Sequence, residues 1–445
     1  MKQSSPSPAS RREFLRALAT AAFAAPFVTR DLLAAPPSQK LRHACFGVGS
    51  QGWQDLEQIS GAGNVEIVAI CDVDLARMEK AREAHPNARF YQDWRDLLQK
   101  ERGNIDSVNV STPDHAHAPI AVSAMQLGKH VFCQKPLAHS LHEARRMTEL
   151  ARAKKLVTQM GIQIHSSAHY RMGVKLIQDG AIGKIKEVHS WCYKSWGDMS
   201  EKPDRADKPP PELAWDLWLG ARAARPYIGD GYYHPGNWRK RLDFGTGTLG
   251  DMACHIFDPV FEALALAAPV SVRSEGPLPN SYNWALDAKA VYSFAGTPFT
   301  AGKTVALTWY DGAKKPPGDV LALLEGAAPP NNGSLFIGEK GVMLLPHIAA
   351  PVLYPAAEYA EYQKPRVRGE NHWKQFVEAC RGNGRTTTGF DYAGPLTEAV
   401  LLGGVASRFP QATLRWDSRA LKFDHAPANQ HVRRAYRKGW EVKGL

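Results

Sequence analysis

Gly47-Val-Gly-Ser-Gln-Gly52 follows directly on the apolar run 42–46, and twenty positions later Asp72 closes a second apolar run, 65–71. Few arrangements restrict a fold so narrowly. Glycines at the exit of a strand let the main chain approach a pyrophosphate, and the helix they open presents free N–H groups and a positive dipole end. A carboxylate at the tip of the next strand accepts hydrogen bonds from ribose hydroxyls and repels a 2′-phosphate, which favours NAD over NADP. The glycines alone occur in many ordinary turns. Strand, glycines, helix, strand and acid in register are what point to a dinucleotide. On this reading Gly47, Gly49, Ser50, Gln51, Gly52 and Asp72 face the cofactor.

The chain continues in the same rhythm to Met160, with strands expected at 42–46, 65–71, 89–91, 106–111, 130–134 and 156–160. Helices are expected between them at 51–60, 74–84, 93–100, 116–127 and 140–153, the last opened by Ser140 as N-cap with Glu143 three places on. Repeated strand–helix units imply an α/β fold: a doubly wound parallel Rossmann sheet over residues 36–160. The texture then changes. A helix at 169–179 is followed by strand patterns at 185–193, 288–294, 304–310 and 334–345, the last folded about Gly338–Gly341. Helices are expected at 372–380 and 396–406. Residues 161–445 thus read as a C-terminal α+β domain with a large, mostly antiparallel sheet, whose face can cover the cofactor.

A chain of 445 residues, 44% hydrophobic and 22% charged, has ample core for such domains. Part of its net charge of +11 belongs to the N-terminus, where Lys2, Arg11, Arg12, Arg16 and Arg30 face only Glu13 and Asp31. Arg11-Arg12 precedes the apolar, alanine-rich run 17–28, which is too short to span a bilayer. Residues 1–35 read as a twin-arginine export signal, and the chain as periplasmic or exported, with an amphipathic first helix as the alternative. Export of an already folded chain, where free NAD is scarce, implies a tightly held cofactor. The remaining basic residues are dispersed apart from Arg433-Arg434 and Arg437-Lys438, which read as a solvated tail or interface; with no recognition motif or aromatic-interleaved groove, no nucleic acid partner is expected. Six cysteines include no CxxC pair, and Cys45, Cys71 and Cys133, in apolar strand-like runs, read as buried thiols.

In an open α/β sheet, ligands lie beyond the carboxyl ends of the strands. Ser111–His117 and Gln134-Lys135-Pro136 fall there. Pro136 keeps Lys135 out of helical conformation, so its ammonium can point into the cleft. Farther on, Asp251 and His255 lie four apart, which on a helix puts them on one face. That spacing suits a carboxylate holding a general-base imidazole, or an ordinary capping contact. A metal would need third and fourth ligands, for which only His165, His169 and His234 offer themselves, so none is assigned. Tyr233, His234, Trp238, Arg239 and His165 are candidates for a sugar pocket, since aromatic faces and polar tips suit a polyhydroxylated ring. Trp215 and Trp218 read as core.

The four segments 47–52, 112–115, 128–136 and 250–255 together resemble the Gfo/Idh/MocA oxidoreductases, the glucose–fructose oxidoreductase and inositol dehydrogenase group. The likeness runs from about Leu41 to Ala406, and is greatest to an exported branch. It implies that Lys135 binds and polarises the reacting hydroxyl, that His255 is the acid/base and Asp251 its partner, and that Thr112, Pro113 and His115 touch the cofactor. Gln134 stands where the family usually has Glu, which removes a charge beside Lys135. The implied activity is NAD-dependent oxidation of a sugar or glycoside hydroxyl at carbon 3, by a homo-oligomer (dimer or tetramer). A redox-neutral glycosidase that oxidises, eliminates, hydrates and reduces is the alternative. A sugar-binding protein with structural NAD is a third reading, disfavoured by the presence of both Lys135 and His255.

Overall fold

Six parallel strands form the first sheet of the computed structural model, which describes residues 40–445. The expected export signal lies outside the described residues. The strands are β1 (Leu41–Phe46), β2 (Val65–Cys71), β3 (Arg89–Tyr91), β4 (Ser107–Val110), β5 (His130–Gln134) and β6 (Thr158–Gly161), in the order β3-β2-β1-β4-β5-β6. Helices α1 (Gln51–Ser60), α2 (Leu75–Ala84), α3 (Trp94–Glu101), α4 (Asp114–Gln126) and α5 (Leu141–Ala153) connect them. The order reverses direction between β1 and β4, so their carboxyl ends open a crevice. Local chemistry sets the helix starts. Asp74 and Asp93 accept from the main-chain N–H of Ala76 and Arg95, and Ser140 with Glu143 closes a capping box.

After α6 (Ala168–Gln178), a nine-stranded sheet is built on β7 (Ile185–Cys192). Its other strands are β8 (Ser271–Ser274), β9 (Lys289–Ala295), β10 (Thr304–Asp311), β11 (Asn332–Gly338), β12 (Val342–Pro346), β13 (Val352–Tyr354), β14 (Thr413–Asp417) and β15 (Lys422–Phe423). The order is β13-β12-β11-β7-β10-β9-β8-β14-β15, antiparallel except where β10 lies parallel to β7. The fold is therefore a Rossmann domain joined to an α+β domain with a mostly antiparallel sheet. Against the second sheet lies α7 (Asp258–Leu264), entirely buried apart from Glu262, with the Phe261 ring edge-on to Phe294 of β9.

The chain then returns to the first sheet. Helix α8 (His372–Cys380) packs Trp373 and Phe376 against Leu41, Ile59 and Phe132. Helix α9 (Phe390–Ala406) lies along α5, where Arg145 pairs with Glu398 at 2.7 Å. No helix among the described residues is long and apolar enough to cross a membrane.

Candidate active site

Gly47 adopts φ +80°, and a Cβ there would lie 2.6 Å from the Ser111 carbonyl oxygen. A Cβ on Gly52 would stand 2.2 Å from the Gly47 carbonyl oxygen, so α1 meets β1 at a distance only glycine permits. Asp72 accepts from the N–H of Val48 at 2.9 Å and of Asp74 at 3.0 Å, leaving lone pairs for further donors. Burial pushes its carboxyl up, against those two hydrogen bonds. Arg77 lies over Gly49 and donates to Ser50 Oγ at 2.9 Å. Pro113 caps α4, and the Thr112 hydroxyl is buried without a partner among the described residues. This cradle fits a dinucleotide: bare main chain where a pyrophosphate would lie, a carboxylate for the ribose, and an unspent hydroxyl. The family's cofactor, NAD, would be held by these residues.

The cradle opens into a cavity of about 710 Å³ lined from both domains. Gln51, Gln134, Lys135 and His115 line it as the sequence expects, although Gln51 donates to Asp55 and His115 Nε2 donates to the Trp218 carbonyl at 2.8 Å. Burial drives the His115 imidazole down to about 3, so it stays neutral. Gln134 is not left without a charge beside it. Its amide donates at 2.9 Å to Asp55, a fully buried carboxylate that also accepts from Ser111 Oγ at 2.7 Å and Trp373 Nε1 at 2.9 Å.

At the other end, Lys135 Nζ lies 2.6 Å from Asp251 Oδ1 and 3.0 Å from the Asp251 carbonyl oxygen. Trp196 Nε1 donates to Asp251 Oδ2 at 2.8 Å, with Arg239 at 3.4 Å and Lys194 at 3.6 Å. Burial raises the Asp251 carboxyl, but the three cations outweigh it and hold the group far below the usual carboxylate range. Here the expected Asp251–His255 pair is corrected. Residues Leu249–Ala253 form a π-helical turn, and both Asp251 carboxylate oxygens are taken up away from His255, Oδ1 by Lys135 and Oδ2 by Trp196. The carboxylate goes to Lys135 instead. His255 is buried, its Nδ1 has no hydrogen-bond partner among the described residues, and its ring lies 5.6 Å from that of His347. Burial, then Lys135 and His347, hold the His255 imidazole well below its ordinary value. His347 is likewise lowered to about 4 by burial and by Lys194 and Lys135.

His234, Trp238 and Arg239 reach the cavity, with the Arg239 guanidinium 4.4 Å from the Trp238 ring and His234 Nε2 2.8 Å from Asp74 Oδ2. Two expected substrate residues do not. His165 is buried 3.0 Å from the Asp258 carboxylate, its ring tilted against Tyr170 and edge-on to Tyr392. Tyr233 packs into the aromatic cluster of Trp215, Trp218 and Phe244. Conversely, Arg77, Lys194, Trp196 and His347 line the cavity and were not singled out. Arg77 stands five residues past Asp72, a local signal; the other three carry no motif. No group of three or more His, Cys, Asp or Glu suited to a metal occurs among the described residues.

Residues 41–162 match a family model described as "Oxidoreductase family, NAD-binding Rossmann fold", and residues 175–297 its "Oxidoreductase family, C-terminal alpha/beta domain". Levoglucosan dehydrogenase from Pseudarthrobacter phenanthrenivorans is 27% identical over 193 residues, 43% of this chain and 40% of that protein. A glycosyl hydrolase family 109 protein from Shewanella sp. (strain W3-18-1) is 30% identical over 162 residues, 34% of this chain and 35% of that protein. The matched span is less than half the length of these relatives. In fold, the chain resembles the WlbA dehydrogenase from Bordetella pertussis, solved with NADH and UDP-GlcNAcA, at TM-score 0.59 and 18% identity over 85% of this chain and 99% of that one.

Proposed function

The chain belongs to the Gfo/Idh/MocA oxidoreductase family, and from that premise we propose that it oxidises a secondary hydroxyl of a sugar or glycoside, at carbon 3, with a tightly held NAD. The observation that carries this reading is the convergence of Lys135, paired with Asp251, and a neutral His255 on the cavity that begins at the glycine cradle. NAD held there supplies the acceptor for the hydride of the carbinol C–H.

The chain's own residues do the rest. His255, buried and neutral, has a free lone pair to take the hydroxyl proton as the C–O bond becomes a carbonyl. Its Nδ1 is enclosed, so that task falls to Nε2. The Lys135 ammonium is fixed by two Asp251 oxygens and is positioned to donate to the developing oxyanion, the kind of preorganised charge that acts most strongly in such steps. Asp251 therefore serves by aiming Lys135. Trp196 and Trp238 offer faces for a pyranose, and Arg239, Lys194 and His347 offer polar contacts to its hydroxyls.

The glycosyl hydrolase relative favours a second reading in the same cleft. A ketone at carbon 3 acidifies the C2–H, so elimination of the aglycone, addition of water and re-reduction would give hydrolysis with no net redox change. Chromogenic glycosides separate the two. A 3-keto product or NADH in stoichiometric amount supports the dehydrogenase, and aglycone release without added NAD supports the hydrolase. Neither activity survives as an assignment if Lys135→Ala and His255→Ala both turn over at the wild-type rate with NAD bound.

A further inference from the structure

A second cavity, of about 370 Å³, shares no lining residue with the cofactor cleft. Seven cationic side chains line it, against a single carboxylate, Asp243. Arg222 and Arg225 divide that carboxylate between them, Arg225 at 2.6 Å. Outside the lining, Arg241 is matched by Asp198 at 2.8 Å and Arg434 by Glu143. Arg433 donates to the Leu445 main-chain oxygen at 2.7 Å. Lys202 and Arg408 form no ion pair among the described residues.

Arg408 is the most telling member. It lies in α9's C-terminal exit with its guanidinium 5.2 Å from the Trp284 ring, and burial lowers it with only Asp243 working the other way. His431, pushed down to about 4 by burial and by Arg408, adds no negative charge. Three side-chain carboxylates thus serve seven cations around a cavity with room for a small molecule. A half-buried guanidinium without an anion is costly to keep, and a planar fork of donors matches the oxygens of a phosphate.

We propose that this cavity is an anion site for a phosphate-type ligand, either the free ion or a sugar phosphate monoester, gripped by Arg408 and Arg433 with Arg222 and Arg225 pre-aimed by Asp243. The site is independent of the reaction assigned to the cleft. Isothermal titration of the full chain saturated with NAD, so that the pyrophosphate cradle is filled, tests it. The probes are inorganic phosphate and glucose 6-phosphate, with glucose and chloride at matched ionic strength as controls. We expect saturable binding of a phosphate probe, weakened about tenfold or more by Arg408→Gln and by a smaller factor by the exposed Arg433→Gln. Tighter binding of the ester than of the ion identifies a sugar phosphate, and the reverse identifies the free ion. Absence of saturable binding by both probes overturns the proposal, as does binding that neither substitution weakens. Should Arg408→Gln fail to fold, Arg433→Gln alone decides.

Discussion

Lys135 and Asp251 meet across the junction of the two domains, and their 2.6 Å contact fixes which side chains act together. Because the carboxylate belongs to Lys135, we expect Asp251→Asn and Lys135→Met to couple by about 0.5–3 kcal/mol in urea unfolding, and Asp251→Asn with His255→Ala to couple less. Additive losses in the first pair would sink the assignment. Lys135→Ala and His255→Ala should each lower kcat by about 10²–10⁴ with NAD still bound, as measured by turnover alongside nucleotide content. The histidines also set a pH dependence. An ordinary histidine protonates near 6.5, whereas His255 is held well below that and His347 at about 4. The unfolded chain therefore takes up protons below about 6.5 that the folded chain refuses, so stability falls as pH drops through that range. For the same reason the acid limb of kcat/KM should lie below pH 6.5, and a limb at 6.5 would contradict a buried neutral base. Lys135, His255 and the glycines were legible in the sequence because each sits in a short local motif at a strand end or helix. The Asp251 partner was not, since Lys135 reaches it from 116 residues away in sequence, and Lys194, Trp196 and His347 arrive from β7 and β12 through long-range pairing that no spacing announces.

The strand–helix units of the first domain were readable almost residue for residue, because buried parallel strands are continuous apolar runs and three of their helices, α2, α3 and α5, carry side-chain caps. Where the reading fell short, a proline or a short strand was the cause. Helix α9 begins at Phe390, not at 396, because Pro395 sits inside it where a proline ordinarily marks a boundary. Strands β8, β13, β14 and β15 span two to five residues each and were not anticipated, being too short to show alternation. The contact between β1 and α1 yields a test at this scale. A methyl group on Gly52 would lie 2.2 Å from the Gly47 carbonyl oxygen, so Gly52→Ala must push helix from strand. We expect a loss of about 1–3 kcal/mol in denaturant unfolding together with lower NAD content after purification. Wild-type values of both would show that the cradle tolerates a side chain. Asp55 ties α1, β4, β5 and α8 through Gln51, Ser111, Gln134 and Trp373. Asp55→Ala leaves four donors short of an acceptor, and should cost more than any single one of those donors removed.

Across the whole molecule, the C-terminal segment crosses back over the first domain and passes the cofactor cleft at Trp440. Arg434 reaches Glu143 and the His115 carbonyl, Arg437 reaches Asp216 and the Gly220 carbonyl, and Arg146 holds the Gly444 carbonyl. These anchors lay Trp440 against the cavity, with the Arg95 guanidinium 3.9 Å from its ring. Trp94, Gly220 and Ala221 line the same region. A wall supplied by a segment so distant in sequence has a consequence for cofactor exchange, because nucleotide leaving by this side must displace Trp440 or its anchors. We expect the full chain to keep NAD through repeated desalting, with Trp440→Ala losing it faster and a chain ending at Val432 losing it fastest. Nucleotide released by denaturing the desalted protein, quantified by its absorbance and chromatographic mobility, provides the measure. Because Arg437 holds the segment by charge on the exposed Asp216 carboxylate, raised salt should hasten the loss in the full chain and leave the shortened one unaffected. Equal retention by all three chains would mean that the glycine cradle and the second domain hold the cofactor unaided, and that the returning segment serves only to cover α4 and α5.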